Sequence, residues 1–189
     1  VSACYAGRIG PWMIMAGGCN FTAEGQKKYY RGVYAARVSA DTLHWQRIGT
    51  LPEAAAYGVT AASADSLLLI GGSNADGSLS TVLSLHISRD GSQATLRTLP
   101  SMPHTIDNMA VAQHGHDIFI VGGNCDGRPS DGILRLRLGR RGNTWSRIGT
   151  MPNGARVQPV AVCMGRKLYV WGGFHAKGDS SEVHTDGLM

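Results

Sequence analysis

Polar residues recur about 50 positions apart in this chain, immediately before or after short apolar runs. The residues best suited to bind a ligand are Asn20, Tyr57, Asp107, Asn108, Asn124, Arg156 and Gln158. Amide and carboxylate side chains bind hydroxyl groups, and a guanidinium binds a carboxylate through two hydrogen bonds. We therefore predict that these residues bind a small hydroxyl-rich or anionic ligand, with Arg156 as the carboxylate clamp.

A structural explanation of the same residues stays open. Asn20, Asn74 and Asn124 each follow a Gly-Gly pair, where asparagine commonly caps a turn by bonding to nearby backbone. Asp107 and Asn108 are equally suited to such a turn. Tyr57 is suited to packing at the rim of the site.

The segment 20–30 is longer than its counterparts after the later Gly-Gly pairs. Long loops in compact domains often carry function. Glu24 lies in this loop with Lys27 and Lys28, so the loop offers one acid and two cations. We take Glu24 as a tentative catalytic residue. The alternative is a solvated surface loop held by salt bridges.

Metal and cofactor chemistry is not expected from the sequence. Of the seven histidines only His114 and His116 are close together, and no third ligand lies near them. The four cysteines form no Cys-x-x-Cys pair and no disulfide framework, which indicates free thiols. We predict no metal and no cofactor.

The 189 residues carry a formal charge of +5, which suits an anionic partner. The densest basic stretch, 135–141, alternates arginine with leucine and so predicts a strand with one solvated face rather than a nucleic-acid site. No apolar run is long enough for a membrane-spanning helix. No signal peptide is recognisable, and the oligomeric state is not indicated by the sequence.

The elements that must position these residues follow from an internal repeat. An apolar run ends at Gly-Gly four times, at residues 17–18, 71–72, 122–123 and 172–173. A second motif, Trp-x-Arg-Ile-Gly-Thr-x-Pro, begins at Trp45 and returns at Trp145. A repeat of about 50 residues is the period of a Kelch blade, the four-stranded unit of a β-propeller.

We therefore predict an all-β Kelch-type propeller of about three and a half blades. Their expected bounds are about 1–52, 53–103, 104–152 and 153–189, the last incomplete because it lacks a tryptophan strand. In the third blade we expect strands near 108–114, 117–122, 131–138 and 144–148, and in the fourth a third strand near 181–185. Open sheet edges favour closure, so we expect either a longer protein or two copies completing one ring.

The first two strands of a blade form an antiparallel hairpin, so the start of one and the end of the other lie together. The residues before the first strand and those after Gly-Gly therefore converge on one face, around the central channel. Asn20, Tyr57, Asp107, Asn108, Asn124, Arg156 and Gln158 all belong to these two groups.

Three motifs resemble those of the N-acetylneuraminate epimerases, or sialic acid mutarotases. They are Gly-Gly-Cys-Asn-Phe from residue 17, Glu-Gly-x-Lys-Lys-x-Tyr from Glu24, and Ala-Tyr-Gly-Val from Ala56. Asp-Asn-Met-Ala from Asp107 and Ala-Arg-Val-Gln-Pro from Ala155 resemble the cyclically permuted Kelch-repeat members of that family. The resemblance extends over most of the chain in consistent order.

The resemblance implies a six-bladed propeller that interconverts the α and β anomers of sialic acid, an isomerase of carbohydrate metabolism in the bacterial periplasm or secreted. It also implies that this chain is an N-terminal portion, inactive by itself, because the family's proton-accepting carboxylate has no match here. Mutarotation needs an acid and a base but no cofactor. Arg156 would hold the sugar carboxylate, and Gln158, Asn108 or Asn20 would bind hydroxyls or the N-acetyl group.

Two other functions compete with this interpretation. A non-catalytic Kelch module would use the same face, or its outer edge, to bind a protein partner. A copper radical enzyme on this fold would need a Tyr–Cys cofactor with clustered histidines, and no such cluster can be assembled from the sequence.

Overall fold

Four main antiparallel β-sheets follow one another along the described residues, and a Gly-Gly pair follows the second strand of each. The computed structural model describes residues 1–38, 42–139, 142–177, 180–184 and 186–188. Every regular element within those ranges is a strand. Accordingly, none of the described segments forms a helix capable of crossing a bilayer.

The first blade is a four-stranded sheet with a small hairpin attached. Its strands are β1 (Tyr5–Ile9), β2 (Trp12–Ala16), β3 (Cys19–Phe21), β4 (Lys27–Tyr29), β5 (Gly32–Arg37) and β6 (Gln46–Thr50). The sheet order is β1-β2-β5-β6, and β3 pairs with β4 beyond Gly17-Gly18. The long 20–30 segment is thus a hairpin standing on the face where strand β2 ends.

The second blade repeats this plan with a shorter hairpin. It contains β7 (Val59–Ser63), β8 (Ser66–Ile70), β9 (Ser73–Asn74), β10 (Gly77–Ser78), β11 (Val82–Ile87) and β12 (Ala94–Thr98). The sheet order is β12-β11-β8-β7, and β9 pairs with β10.

The third blade confirms the expected order of four strands. It contains β13 (Ile106–Asp107), β14 (Ala110–His114), β15 (Asp117–Val121), β16 (Asn124–Cys125), β17 (Arg128–Pro129), β18 (Gly132–Arg137) and β19 (Thr144–Thr150). The main sheet runs β14-β15-β18-β19, and β16 pairs with both β13 and β17. On β18, Leu134 and Leu136 are buried, Arg135 is half-buried and Arg137 is exposed, in line with the predicted alternation. Residues 140 and 141 of the basic stretch lie outside the described residues.

The fourth blade has three strands in its main sheet and corrects one expectation. Its strands are β20 (Val160–Met164), β21 (Lys167–Trp171), β22 (Phe174–Lys177), β23 (Ser180–Val183) and β24 (Gly187–Leu188). We expected the third strand near 181–185. Instead β23 pairs with β22 in the hairpin after Gly-Gly, and β24 is the third strand of the sheet. A longer hairpin displaces the third strand towards the end of the chain.

The core lies between successive blades, with the innermost strands β1, β7, β14 and β20 packed side by side. Strand β8 is buried along its whole length because its residues alternate between two faces. Leu67 and Leu69 join the cluster shared with the first blade, whereas Leu68 and Ile70 join the cluster shared with the third. This radial stacking of twisted sheets is the β-propeller architecture.

The first three Gly-Gly pairs lie directly against the segment that enters the next blade. The backbone amides of Gly18 and Gly123 donate to the carbonyls of Ala55 and Arg156 at 2.7 and 2.8 Å. Gly122 has a φ of +64°, and a Cβ there would lie 2.4 Å from the carbonyl oxygen of Arg156. A larger residue would therefore be strained and would collide with backbone.

Candidate functional site

The turns entering the innermost strands are linked to one another by backbone hydrogen bonds. The amide of Tyr57 donates to the carbonyl of Ala3 at 2.9 Å, that of Asn108 to Tyr57 at 2.9 Å, and that of Gln158 to Asn108 at 2.7 Å. All four residues have positive φ, between 52° and 61°. We call Ala3, Tyr57, Asn108 and Gln158 the axial turns, because they step from blade to blade beside the innermost strands.

A side-chain network extends from the axial turns through Asp107. The Gln158 amide donates to Asn108 Oδ1 at 2.8 Å, and the Asn108 amide donates to Asp107 Oδ1 at 2.6 Å. Asn124 Nδ2 donates to the same Asp107 oxygen at 2.9 Å, and the Ser78 hydroxyl donates to Asp107 Oδ2. Asp107 is buried, so these donors replace the water that its carboxylate would otherwise bind.

Tyr57 carries a cation above its ring. Lys27 Nζ lies 4.2 Å from the centroid of the Tyr57 ring and 5.4 Å from that of Tyr29. Cys19 Sγ donates to the Tyr57 hydroxyl at 3.3 Å. Contact with the Tyr57 hydroxyl raises the pKa of the Lys27 ammonium, so this lysine is charged at neutral pH. The first hairpin thus places a positive charge beside an axial turn.

A polar cleft of about 530 Å³ opens next to Lys27, between the hairpins β3–β4 and β9–β10. Its lining includes Lys27, Lys28, Glu53, Asn74 and Asp76. Glu53 accepts hydrogen bonds from Asn74 Nδ2 at 3.2 Å and from Thr81 Oγ1 at 3.0 Å. The volume falls within the range of small-ligand sites.

Two of the three asparagines that follow Gly-Gly make local contacts. Asn20 is exposed and its Oδ1 accepts from the amide of Phe21 at 2.9 Å, while Asn74 Oδ1 accepts from the amide of Asp76 at 2.8 Å. Asn124 instead bonds to Asp107. The turn-capping alternative is therefore realised at Asn20 and Asn74, and Asn124 belongs to the network.

Glu24 lies at the exposed tip of the β3–β4 hairpin. A hydrogen bond from the Thr22 side chain lowers the pKa of the Glu24 carboxyl, which is therefore ionised at neutral pH. Its tentative catalytic role stays a prediction.

Arg156 points away from the axial turns. Its side chain is fully buried, with Nη2 3.0 and 3.1 Å from the two oxygens of Asp186 and Nη1 3.0 Å from the carbonyl of Gly172. Its backbone carbonyl occupies the place that Ala55 and Ile106 hold in earlier blades, accepting from a Gly-Gly amide. The clamp predicted for a ligand carboxylate is thus engaged by a carboxylate of the same chain.

The structure brings together Tyr57, Asp107, Asn108, Asn124 and Gln158, and it separates Arg156 from them. Lys27 is the cation beside the axial turns instead. Sequence reasoning noted this lysine only as part of a charged loop, because nothing local indicates that the hairpin folds over Tyr57.

No family model matches the chain. It is similar to the N-acetylneuraminate epimerase of Salmonella typhi, with 33% identity over 91 residues, 47% of this chain and 23% of that protein. The N-acetylneuraminate epimerase of Vibrio vulnificus (strain YJ016) is 30% identical over 95 residues, 43% of this chain and 24% of that protein. The matched region thus spans about a quarter of these curated relatives.

The solved structure of YjhT superposes with a TM-score of 0.78 at 15% sequence identity, covering 93% of this chain and 60% of that one. At this low sequence identity the likeness shows the fold alone. Across about half of its length, then, the chain resembles the bacterial N-acetylneuraminate epimerases, and it has the β-propeller fold of YjhT.

Proposed function

We propose that the axial turns form the binding site of a sialic acid mutarotase, a protein that interconverts the α and β anomers of N-acetylneuraminate. The observation that carries this proposal is the network from Gln158 through Asn108 to Asp107, which gathers polar groups of successive blades at one place. The sequence similarity to N-acetylneuraminate epimerases supports the choice of sugar.

Lys27 is the group that we assign to the sugar carboxylate. It is held over the Tyr57 ring, 4.2 Å from its centroid, and it is adjacent to the polar cleft. Arg156 is less suited to this role, because its Nη2 already donates to both carboxylate oxygens of Asp186. A lysine offers three donors on a flexible stem and binds a carboxylate as a point charge.

The neutral part of the sugar is assigned to the axial turns. Asn108 and Gln158 offer amide donors and acceptors of hydrogen bonds. The Tyr57 hydroxyl can also donate or accept a hydrogen bond. These groups suit hydroxyls and an N-acetyl group. Backbone hydrogen bonds between blades fix the positions of these turns, so less conformational entropy is lost when the sugar binds.

The reaction removes the proton of the anomeric hydroxyl and delivers one to the ring oxygen, so that the ring opens. The exposed carbonyl then turns its other face, and the ring closes again. The carboxylate of the sugar is attached to the anomeric carbon, so a cation that binds it also positions the reacting atoms. We assign this chain's residues to binding and orientation and leave the proton acceptor unassigned.

Two lysines on the same strand provide the test. Replacing Lys27 by Gln removes the cation beside Tyr57, whereas Lys28→Gln removes one that lies over Tyr30, 5.7 Å from its centroid. Titration calorimetry with N-acetylneuraminate should show affinity about 10–100-fold weaker for Lys27→Gln, the equivalent of losing one charged hydrogen bond. Lys28 also lines the cleft but lies over Tyr30 rather than Tyr57, so Lys28→Gln should weaken binding clearly less than Lys27→Gln does.

Equal affinities of the two lysine variants would refute the assignment of Lys27. If no N-acetylneuraminate is bound and peptides are captured instead, the interaction-module alternative is favoured. Anomer exchange followed by proton NMR on the same samples separates binding from catalysis. The periplasmic or secreted location and a chain inactive by itself stay predictions.

A further inference from the structure

Three side chains with metal-ligating atoms meet beside the short strands of the third blade. They are His104, Cys125 and Asp126, and one ligand atom from each lies within 4.8 Å of the others. His104 and Asp126 are exposed and Cys125 is half-buried. The cluster combines nitrogen, sulfur and oxygen donors.

Backbone pairing fixes the three residues in place. Cys125 lies opposite Ile106 in the β13–β16 ladder, and the amide of Asp126 donates to the carbonyl of Thr105 at 2.9 Å. Thr105 returns two bonds, from its amide and its hydroxyl, to Asp126 Oδ1, each at 3.0 Å. The other oxygen, Oδ2, is left facing His104 Nδ1 at 2.9 Å.

Contrary to the expectation from the sequence that no metal is bound, we propose that His104, Cys125 and Asp126 form a zinc-binding site. Cysteine sulfur and histidine nitrogen are donors that zinc prefers, and magnesium and calcium prefer oxygen alone. A thiolate and a carboxylate together balance the charge of a divalent ion. Zinc bonds of about 2.0–2.3 Å hold tetrahedral donors about 3–4 Å apart. The three ligand atoms lie within 4.8 Å of one another, an upper limit slightly larger than that spacing.

Space for a fourth, non-protein ligand lies beside the cluster. A cavity of about 180 Å³ adjoins the cluster. It is lined by His104 and Cys125, by Ser130 and Arg147, and by the apolar side chains of Ile106, Ile120 and Leu134. Three protein ligands with an open fourth position is the arrangement of reactive zinc sites, whereas purely structural sites are closed by four protein ligands.

A plain ion pair between His104 and Asp126 is the competing explanation. That pair alone would pin the turn between β16 and β17, much as His86 and Asp65 pair at 3.7 Å elsewhere. It makes no use of Cys125. The thiol is therefore the group that separates the two explanations.

The proposed zinc site is distinct from the axial turns, but it lies on the same two strands, β13 and β16, that carry Asp107 and Asn124. Asp107 and Asn124 form the register pair next to Ile106 and Cys125 on the same two strands. A bound ion would tie the segment before β13 to the β16–β17 turn, and so stabilise the strands that carry Asp107 and Asn124. The inference does not depend on the sugar proposed above.

Cobalt substitution provides a direct test on the full chain under reducing conditions. Titration with Co²⁺ should produce a near-ultraviolet thiolate-to-cobalt absorption band that saturates at one ion per chain and disappears on adding Zn²⁺. Cys125→Ser should abolish the band. The matched control Cys163→Ser, which alters another half-buried free thiol, should leave it intact.

Affinity for Zn²⁺ measured against a chromophoric chelator gives a second readout. His104→Gln and Asp126→Asn should each weaken binding at least about tenfold, since even loss of an outer-shell partner costs about 10–100-fold. Zn²⁺ should also raise the melting temperature of the wild-type chain and not that of Cys125→Ser. Absence of a cobalt–thiolate band in the wild type, or unchanged zinc affinity in Cys125→Ser, would overturn the proposal.

Discussion

Gln158 and Asn108 make two hydrogen bonds to one another, although 50 positions separate them in the chain. The Gln158 backbone amide donates to the Asn108 carbonyl at 2.7 Å, and its side-chain amide donates to Asn108 Oδ1 at 2.8 Å. Equivalent turns of neighbouring blades are thus in direct contact. Because of this contact, polar residues that recur about 50 positions apart in the sequence lie together in one polar site.

The backbone conformation of Asn108 can be tested separately from its side chain. Its φ of +52° is open to glycine and asparagine but unfavourable for β-branched residues. We predict that Asn108→Val is at least about 1 kcal/mol less stable than Asn108→Gly, because both lose the amide but only valine is strained. Urea unfolding monitored by tryptophan fluorescence measures the difference. Equal stabilities would show that this turn relaxes freely.

The close approach at the Gly-Gly pairs can be tested with two glycines of similar conformation. Gly122 and Gly115 have φ of +64° and +58°, but only at Gly122 would a Cβ meet backbone, 2.4 Å from the Arg156 carbonyl oxygen. Gly115→Ala should cost about 1–2 kcal/mol for its conformation alone. Gly122→Ala should cost about 1–3 kcal/mol more because the entry segment must move. Matching losses in urea unfolding would contradict the close approach.

Acid sensitivity should report on the pair between Arg156 and Asp186. A hydrogen bond from the Asn153 side chain, and then the Arg156 guanidinium, holds the pKa of Asp186 below its ordinary value of 3.8. A lowered pKa in the folded state contributes stability that is complete above 3.8 and is lost as the pH falls through the folded-state value.

We therefore predict that Asp186→Asn is less stable than the wild type at pH 7 and that the gap narrows below about pH 4. Thermal melts across this pH range make the comparison, with the exposed Asp76→Asn as control. A gap that stays constant with pH would mean that the charge of Asp186 does not support buried Arg156.

The order of strands in the first three blades follows from signals that are local in sequence. Gly-Gly requires positive φ at the end of the second strand, and proline after the tryptophan strand ends the ladder. The Gly-Gly requirement repeats in every blade, and the proline follows the last strand in the first three. The third strand of the fourth blade was predicted at the wrong position because a longer hairpin, β22–β23, precedes it. No glycine pair or proline in the sequence marks the end of that hairpin.

The direction of a side chain depends on partners that sequence spacing does not reveal. Arg156 precedes the axial turn by only two residues, yet its guanidinium enters the fourth blade to meet Asp186, 30 positions later. His104 likewise meets Cys125 and Asp126 only because β13 pairs with β16. Tyr57, Asn108 and Gln158 could be predicted together because they hold the same place in each repeat.

Saturation-transfer NMR with N-acetylneuraminate and the neutral sugar N-acetylmannosamine tests the central claim, that the axial turns bind an acidic sugar, most directly. We predict strong transfer from the wild-type chain to N-acetylneuraminate, weak transfer to N-acetylmannosamine, and a marked loss of the first signal in Asn108→Gly, which keeps the turn but removes its amide. No transfer to N-acetylneuraminate, or an undiminished signal from Asn108→Gly, would contradict the account.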